Sequence, residues 1–558
     1  MRTFLFTVFL ATSFCAPSSA QELSPADQSA ADAAIKVIRP EAIAAHMRFL
    51  SDSMLEGRAP DSPGYQIAAR YVATELESMG LRRGGLNDTW FQPVPLRKAV
   101  LDTSKSSLLL VANDPGANHR EQKLIDGKDY VLIADVTHAE NKLEAPIVFV
   151  GFGVTAPEAN YDDFAGIDVR GKIVLTFVGA PPRFSYTVRA YYSDDIVKAK
   201  NALAHGAIVM VTTMLPEDWK RWPWDWDVPQ FRMGSTNWLD KAGITHDAFP
   251  QGGIAQFSET GAALLFANGP KTLEDAILAA RSSKPQAFPL AWSARIHTMS
   301  AETTYESPNI VGEIVGSDPA LRNQYVVYTA HVDHLGICPP IDGDNVCHGT
   351  IDNASGVATL LEIARAYASL PRPPRRSVLF VFVTGEEMFL IGSDYFAHFP
   401  TVPLNKIVAN VNIDGAPGMS FPMKDVVAMG TEHSSIGKVA ESAAHKIGYV
   451  LVPDPMPEEN SFIRSDQYSF VLQGIPAVYF SDGITSSDPT INALEYDKKW
   501  LITRYHTPLD NMDQPLDYES GAKVAGLNFL VGYELAQQNL PPEWNKGDFF
   551  GTKFAQKR

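Results

Sequence analysis

The chain has 558 residues, 45% of them hydrophobic and 20% charged, and a formal net charge of −17. That composition excludes disorder, collagen and coiled coil as the main state, and the length suggests about two to four structural units. The acidic balance lacks the basic footprint that nucleic acid and anionic membrane surfaces require, so neither is an expected partner.

Residues 1–20 read as a secretory signal. Arg2 is the positive start, residues 4–14 are an apolar run too short to cross a bilayer, and Ser18-Ser19-Ala20 is a small-residue cleavage site. The expectation is export to the periplasm or the medium, with no membrane insertion after cleavage. The Phe14 before Cys15 argues against a lipoprotein. Cleavage leaves Cys338 and Cys347, nine positions apart, as a natural disulfide in an oxidising compartment. A thiolate metal site is the rival reading of that pair.

Residues 25–95 read as helical. Ala42, Ile43, Met47 and Leu50 recur at helical spacing, and a second helix over 64–79 ends at Gly80. Residues 145–285 differ: short strands over 146–152, 172–178 and 207–211 alternate with turns around one helix near 195–205. This predicts a small, separate, β-rich domain. Its residues 222–227, Trp-Pro-Trp-Asp-Trp-Asp, read as an aromatic loop used for packing more than as a substrate wall. From 309 onward, strands over 324–330, 377–384, 407–413 and 475–480 alternate with helices over 356–369, 434–447 and 465–473. Continuous apolar strands mean burial on both faces. The predicted fold is therefore α/β, a mixed and mostly parallel sheet with helices on both faces.

In such a sheet, reactive groups sit just past the carboxyl ends of strands. Here one strand runs into His331 and Asp333, the next into Glu386 and Glu387, and the third into Asp414, while Asp352 opens a helix and His506 lies far downstream. Packing gives no reason for strands to end in this way. Together these carboxylates would repel one another, and bound cations are the simplest compensation. Mixed histidine and carboxylate donors suit Zn²⁺ first, with Co²⁺ or Mn²⁺ as alternatives. His331 and Asp333 face the same way on an extended segment, so Asp333 is expected to accept from the His331 ring. Glu386 and Glu387 are adjacent and point apart, which suits one binding metal while the other faces the attacking water.

The segments AHVDHLG, GTIDNASGVATLLEIA, VFVTGEEMFLIGS, VNIDG, IRSDQYSFVLQGIPAVYF and YHTPLDNMD, in that order over 309–513, resemble the M28 co-catalytic zinc peptidases. The opening FLSDSMLEGRAPDSPGYQIAARYVATELESMGL is similar to that family's amino-terminal helices. Residues 145–285, with GKIVL and HGAIVMV, resemble an inserted protease-associated domain, which leaves 25–144 and 286–558 to the catalytic domain. The resemblance implies two Zn²⁺ per chain, with His331 and Asp414 on one, Glu387 and His506 on the other, and Asp352 bridging. It implies that Asp333 orients His331, that Glu386 is the general base, and that Tyr505 donates to the developing oxyanion. It places Arg464 and Asp466 in a segment at the rim of the site, with Arg464 as a substrate contact. Where many members carry His after that Asp, this chain has Gln467.

The expected function is that of a secreted dinuclear zinc aminopeptidase acting on peptides, with a water activated between the metals and Glu386 as base. A carboxypeptidase or non-peptide amidohydrolase on the same centre is the alternative, and a non-catalytic binding or receptor-like protein is a further one. Only Arg464 is a cation placed to hold a substrate carboxylate, which favours the aminopeptidase.

Overall fold

A computed structural model describes residues 23–113, 121–245 and 255–557. The expected secretory signal lies outside the described residues. Four parallel strands form the centre of the first sheet, in the order Ser377–Val383, Tyr325–His331, Ile407–Asn412 and Ala477–Ser481. Every residue of Ser377–Val383 and Ile407–Asn412 is buried, as continuous apolar runs require. Alternate side chains divide between two layers. Val378, Phe380 and Phe382 pack with helices Pro40–Leu50, Gly356–Ala368 and Tyr518–Gln537. Leu379, Val381 and Val383 face the other way, onto Phe396 and Phe470 of helices Ile391–His398 and Gln467–Leu472. Antiparallel strands close the sheet on both sides. Asp425–Met429 pairs with Ala477–Ser481, and residues 310–314 of the strand Phe288–Ile314 pair with Ser377–Val383.

That long strand, 27 residues, also builds a second sheet. Its residues 288–299 lie between Ser107–Ala112 and Glu140–Phe149. Glu140–Phe149, Ile173–Phe177, Val209–Thr213 and Ala255–Phe257 then run parallel, with Tyr130–Leu132 antiparallel at the edge. This sheet has its own core, including Leu110, Ile147, Phe149, Leu175, Phe177 and Trp292.

The second unit is wider than the expected 145–285, because strands from Ser107 onward and half of the long strand join it. It also carries helices Tyr186–Ser193, Asp195–Ala204, Pro216–Arg221, Trp224–Arg232, Glu259–Phe266 and Leu273–Arg281, where one was expected. The expected helical reading of 25–95 holds only to Ser78. Residues 91–101 are a strand, antiparallel to residues 300–310. Pro93 and Pro95 lack the amide donors a helix needs there.

Candidate metal centre

Register brings the strand ends together. His331, the last residue of its strand, lies opposite Val383, and the chain then turns at Gly385 (φ +65°) to present Glu386 and Glu387. On the other side, Ile407–Asn412 pairs with the His331 strand and runs on to Asp414. The loop before helix Gly356–Ala368 carries Asp352 across these ends. Asn353 ties it down, its side chain bonding Ile413 O at 3.1 Å and accepting from Gly356 N and Gly415 N.

Asp352 lies between two imidazoles. Its Oδ1 is 3.3 Å from His331 Nε2 and its Oδ2 3.3 Å from His506 Nε2. His331 Nε2 is 3.0 Å from Asp414 Oδ1, and His506 Nε2 is 3.0 Å from Glu387 Oε2. Two ligand atoms on one tetrahedral zinc stand about 3.3 Å apart, given bonds of about 2.0–2.1 Å. The four spacings are therefore those expected of ligand atoms that share a metal ion. Glu386 stays outside this set, with Oε2 3.9 Å from His331 Nε2. The structure thus brings His331, His334, Asp352, Glu386, Glu387 and Asp414 into groups that could hold a metal ion, with His506 beside Asp352 and Glu387, and the donor set suits divalent transition metals.

Charge separates the two glutamates. Burial, with Asp414, Glu387 and Asp466 nearby, pushes the Glu386 carboxyl well above the usual carboxylate range, against the pull of His331. Burial acts on Glu387 in the same sense, but His506 and His334 outweigh it and hold that carboxyl down at about 2. Asp352 is held well below its usual value by His331 and His506, again against burial. His506 rises to about 9, because Glu387 and Asp352 overcome the burial of its ring. Neighbouring carboxyls with such divergent proton affinities suit different roles, a proton carrier and an ionised ligand.

Asp333 differs from its expected geometry. The His331 Nδ1 lies 3.2 Å from the Asp333 backbone oxygen, and the Asp333 carboxylate is 3.9 Å away. That carboxylate instead accepts from Glu386 N and Glu387 N, at 3.3 and 3.4 Å. Fully buried, it takes the two amides the tight turn leaves free. Asp333 thus holds both partners, His331 through its backbone and the glutamate turn through its side chain.

The side chains at the mouth fall out as follows. The Tyr505 ring stacks on His506 at 3.7 Å. Burial, with nearby carboxylates, raises its phenol well above the usual value, so it remains a protonated donor. Arg464 stands over the Trp222 ring at 5.6 Å and 3.5 Å from Glu459. Asp466 is fully buried and so does not lie at the rim as expected. Gln467 is buried too, and bonds Asn412 and the Phe462 carbonyl, each at 2.7 Å. Residues 224–227 are helical, not a loop, and Trp226 lies parallel to the His506 ring at 6.3 Å, so this aromatic segment lines the site. Cys338 and Cys347 are joined in a disulfide that staples the hairpin Gly336–Ile341 and Asp344–Cys347.

Three further residues escaped the sequence reasoning. His334, wholly buried, places Nδ1 2.5 Å from Glu387 Oε1. This is a hydrogen bond that orients Glu387. Asp510 accepts from Ile351 N at 3.0 Å and Asp352 N at 3.1 Å, fixing the bridging loop. Arg58 is buried under the site and donates to Val332 O, His348 O, Gly349 O and Leu50 O. Burial lowers its pKa to about 10, with Asp333, Asp352, Asp510 and Glu387 opposing the fall. It is a cation beneath a crowd of carboxylates. Left-handed backbone at Glu56, Gly57 and Arg58 aims it inward, and a Cβ on Gly57 would meet Gly336 O at 2.4 Å. His334 and Asp510 stood inside the motifs AHVDHLG and YHTPLDNMD, while Arg58, in LEGRAP, had no pattern pointing it at the site.

Residues 309–530 match the profile of peptidase family M28. The chain is 28% identical over 221 residues to the "probable leucine aminopeptidase 2" of Aspergillus oryzae, covering 38% of this chain and 40% of that protein. It is 29% identical over 250 residues to "Aminopeptidase YwaD" of Bacillus subtilis, covering 44% and 48%. The chain thus matches less than half the length of these curated relatives. Among solved structures, the "Aminopeptidase from Aneurinibacillus sp. strain AM-1" aligns over 92% of this chain and 96% of that one, with a TM-score of 0.51 and 19% identity, a likeness of fold.

Proposed function

Residues 309–530 match the profile of peptidase family M28, and from that premise we propose that the chain is a zinc aminopeptidase with two metal ions per chain. The observation that carries the reading is the pair of imidazoles at 3.3 Å on either side of Asp352, with Glu386 beside them. His331, Asp414 and Asp352 would hold one ion, and Glu387, His506 and Asp352 the other. When bound, the ions would polarise the scissile carbonyl and make an attacking water acidic. The Glu386 carboxyl takes the water's proton on Oε2 and returns it to the departing amine. Asp333 fixes Glu386 through the backbone amides, and the Tyr505 hydroxyl donates to the oxyanion. Asp414 and Glu386 offer negative charge to a substrate's free ammonium. Arg464, engaged by Glu459, is poorly placed for a carboxylate, which favours amino-terminal over carboxy-terminal cleavage.

The second sheet is an inserted domain of the protease-associated kind that shapes the entrance through Trp222 and Trp226. The amino-terminal signal and the disulfide suit an exported enzyme working in an oxidising compartment.

The test uses the mature protein on aminoacyl-p-nitroanilides, with chelator and with restored Zn²⁺. Release should vanish with chelator and return with zinc. Glu386→Gln should retain zinc and lose about 10²–10⁴-fold in kcat. A Glu386→Gln protein without zinc would overturn the assignment of its role, and chelator-insensitive release would overturn the metal.

A further inference from the structure

A cavity of about 590 Å³ lies apart from the clustered donors, on the flank of the first sheet where the long strand Phe288–Ile314 is added. Register fixes its position. Ile310 pairs with Phe382, so residues 305–308 run past the carboxyl end of Ser377–Val383, alongside the turn that carries Glu386 and Glu387. The Ser307 and Thr384 hydroxyls meet at 2.6 Å, and Tyr305 shares an apolar cluster with Met388 of that turn. Tyr305 and Glu306 form one wall of the cavity. The other is the start of helix Pro63–Ser78, with Pro60, Pro63, Ile67 and Arg70. Ile67 is 46% exposed although apolar. Asp61, beside it, is held by Lys98 at 2.8 Å, and among the described residues Arg70 has no ion pair. Apolar walls around an unpaired guanidinium fit an apolar residue that ends in a carboxylate.

We propose that this cavity receives the carboxy-terminal end of a short leaving peptide, with Arg70 taking its carboxylate, so that the chain favours short peptides as substrates. The inference rests on the aminopeptidase reading. Its direction comes from the order of the strands. Asp414, which draws the substrate's ammonium, follows Ile407–Asn412 on one flank of the His331 strand, and the cavity lies on the other flank, past Ser377–Val383. Glu386 stands between and protonates the departing amine, so the leaving peptide runs away from Asp414 toward Tyr305. Tyr305 is two residues beyond Ser307, about 7 Å along the strand. An extended peptide covers about 3.3–3.6 Å per residue, so a leaving peptide of about two or three residues brings its carboxylate into the cavity. Glu306 faces the same space, but a leaving peptide carries no cation at its far end, and Arg70 is the group that answers its charge.

The test compares free acids with carboxamides of Leu-Phe, Leu-Gly-Phe, Leu-Gly-Gly-Phe and Leu-Gly-Gly-Gly-Phe, with zinc content as the control for folding. Wild type should prefer the acid of Leu-Gly-Phe or Leu-Gly-Gly-Phe over its amide by about 10-fold or more in kcat/KM, and the preference should shrink for the longest peptide. Arg70→Gln should bring that ratio to about 1, and Arg70→Glu should invert it. Ile67→Asp, which adds a like charge to the wall, should lower the ratio as well. Equal turnover of acid and amide at every length in wild type, or a preference that survives both Arg70 variants, would overturn the assignment. Leucine p-nitroanilide left intact by wild type with zinc bound would instead sink the aminopeptidase reading and the cavity's role with it.

Discussion

Both sheets are centred on parallel strands with continuous apolar runs, VLFVFV in the first and IVLTF in the second, and both runs are fully buried. Their carboxyl ends differ. In the second sheet, the Phe177 carbonyl accepts from the buried Lys198 at 2.9 Å, and Lys198 also meets Asp195 at 3.0 Å. Thr213 bonds Phe257 O at 3.0 Å. There the buried cation has a carboxylate partner of its own. In the first sheet, Asp352, Glu386, Glu387 and Asp414 converge on a few imidazoles, with Arg58 as the cation beneath. What marks a reactive strand end is uncompensated like charge, since burial and polarity occur in both sheets.

The sharpest way to break this comparison is to alter both ends. Asp352→Ala removes the carboxylate shared by His331 and His506, so zinc should be lost from both positions and kcat/KM should fall about 10³-fold or more. Lys198→Met, its counterpart in the second sheet, should cost about 1–3 kcal/mol of stability and leave zinc content unchanged. Metal analysis beside denaturant unfolding reads both. Zinc lost on changing Lys198 would mean that the two sheets are not independent in this respect.

Arg58→Met tests the charge argument from below. It removes the cation that Asp333, Asp352, Asp510 and Glu387 surround and strips four carbonyls of their donor. The expected loss is about 3–5 kcal/mol by urea unfolding, as for a buried charge network deprived of one partner. Added zinc should recover part of it, because the metal supplies positive charge to the same carboxylates.

His334→Gln is a gentler probe. If His334 orients Glu387 by hydrogen bonding, zinc should still bind, but about 10–100-fold more weakly, as judged by chelator competition. Complete loss of one zinc would make His334 a ligand instead.

How far the sequence disclosed the site depends on where each contact is made. His331, Glu386, Glu387 and Asp414 were readable because each follows an apolar strand, and a parallel sheet aligns those ends. Asp352 was readable from the helix it opens. Arg58 was not, because its partners lie up to 291 positions away and its aim depends on left-handed turns that no hydrophobic pattern encodes. His334 was quoted within a motif and passed over, since its role turns on a spacing of 2.5 Å that only coordinates provide. Asp333 was placed correctly beside His331, yet its carboxylate faces the glutamate turn, because an extended segment leaves the side chain free to seek the two unpaired amides. The width of the second unit was obscured by the strand Phe288–Ile314, which serves both sheets without a break.

The smallest effect comes from a histidine that mimics the centre without belonging to it. His433 lies 2.7 Å from Asp548 Oδ2 through Nδ1 and 3.3 Å from Glu432 Oε1 through Nε2, between the rings of Phe462 and Phe550. Asp548 also caps the helix Phe549–Phe554, so the cluster pins the carboxy-terminal helix to the first sheet. Burial disfavours the His433 cation, but the two carboxylates outweigh it and raise the pKa to about 9. A base with a raised folded pKa adds stability that is complete below its unfolded value, about 6.5, and is lost as pH climbs through about 9. Wild type should therefore exceed His433→Gln by at most about 3 kcal/mol near pH 6, and the gap should close toward pH 10. Thermal midpoints of the two proteins across that range measure it. A gap that stays constant with pH would show that packing between the two phenylalanines, and not charge, holds this corner.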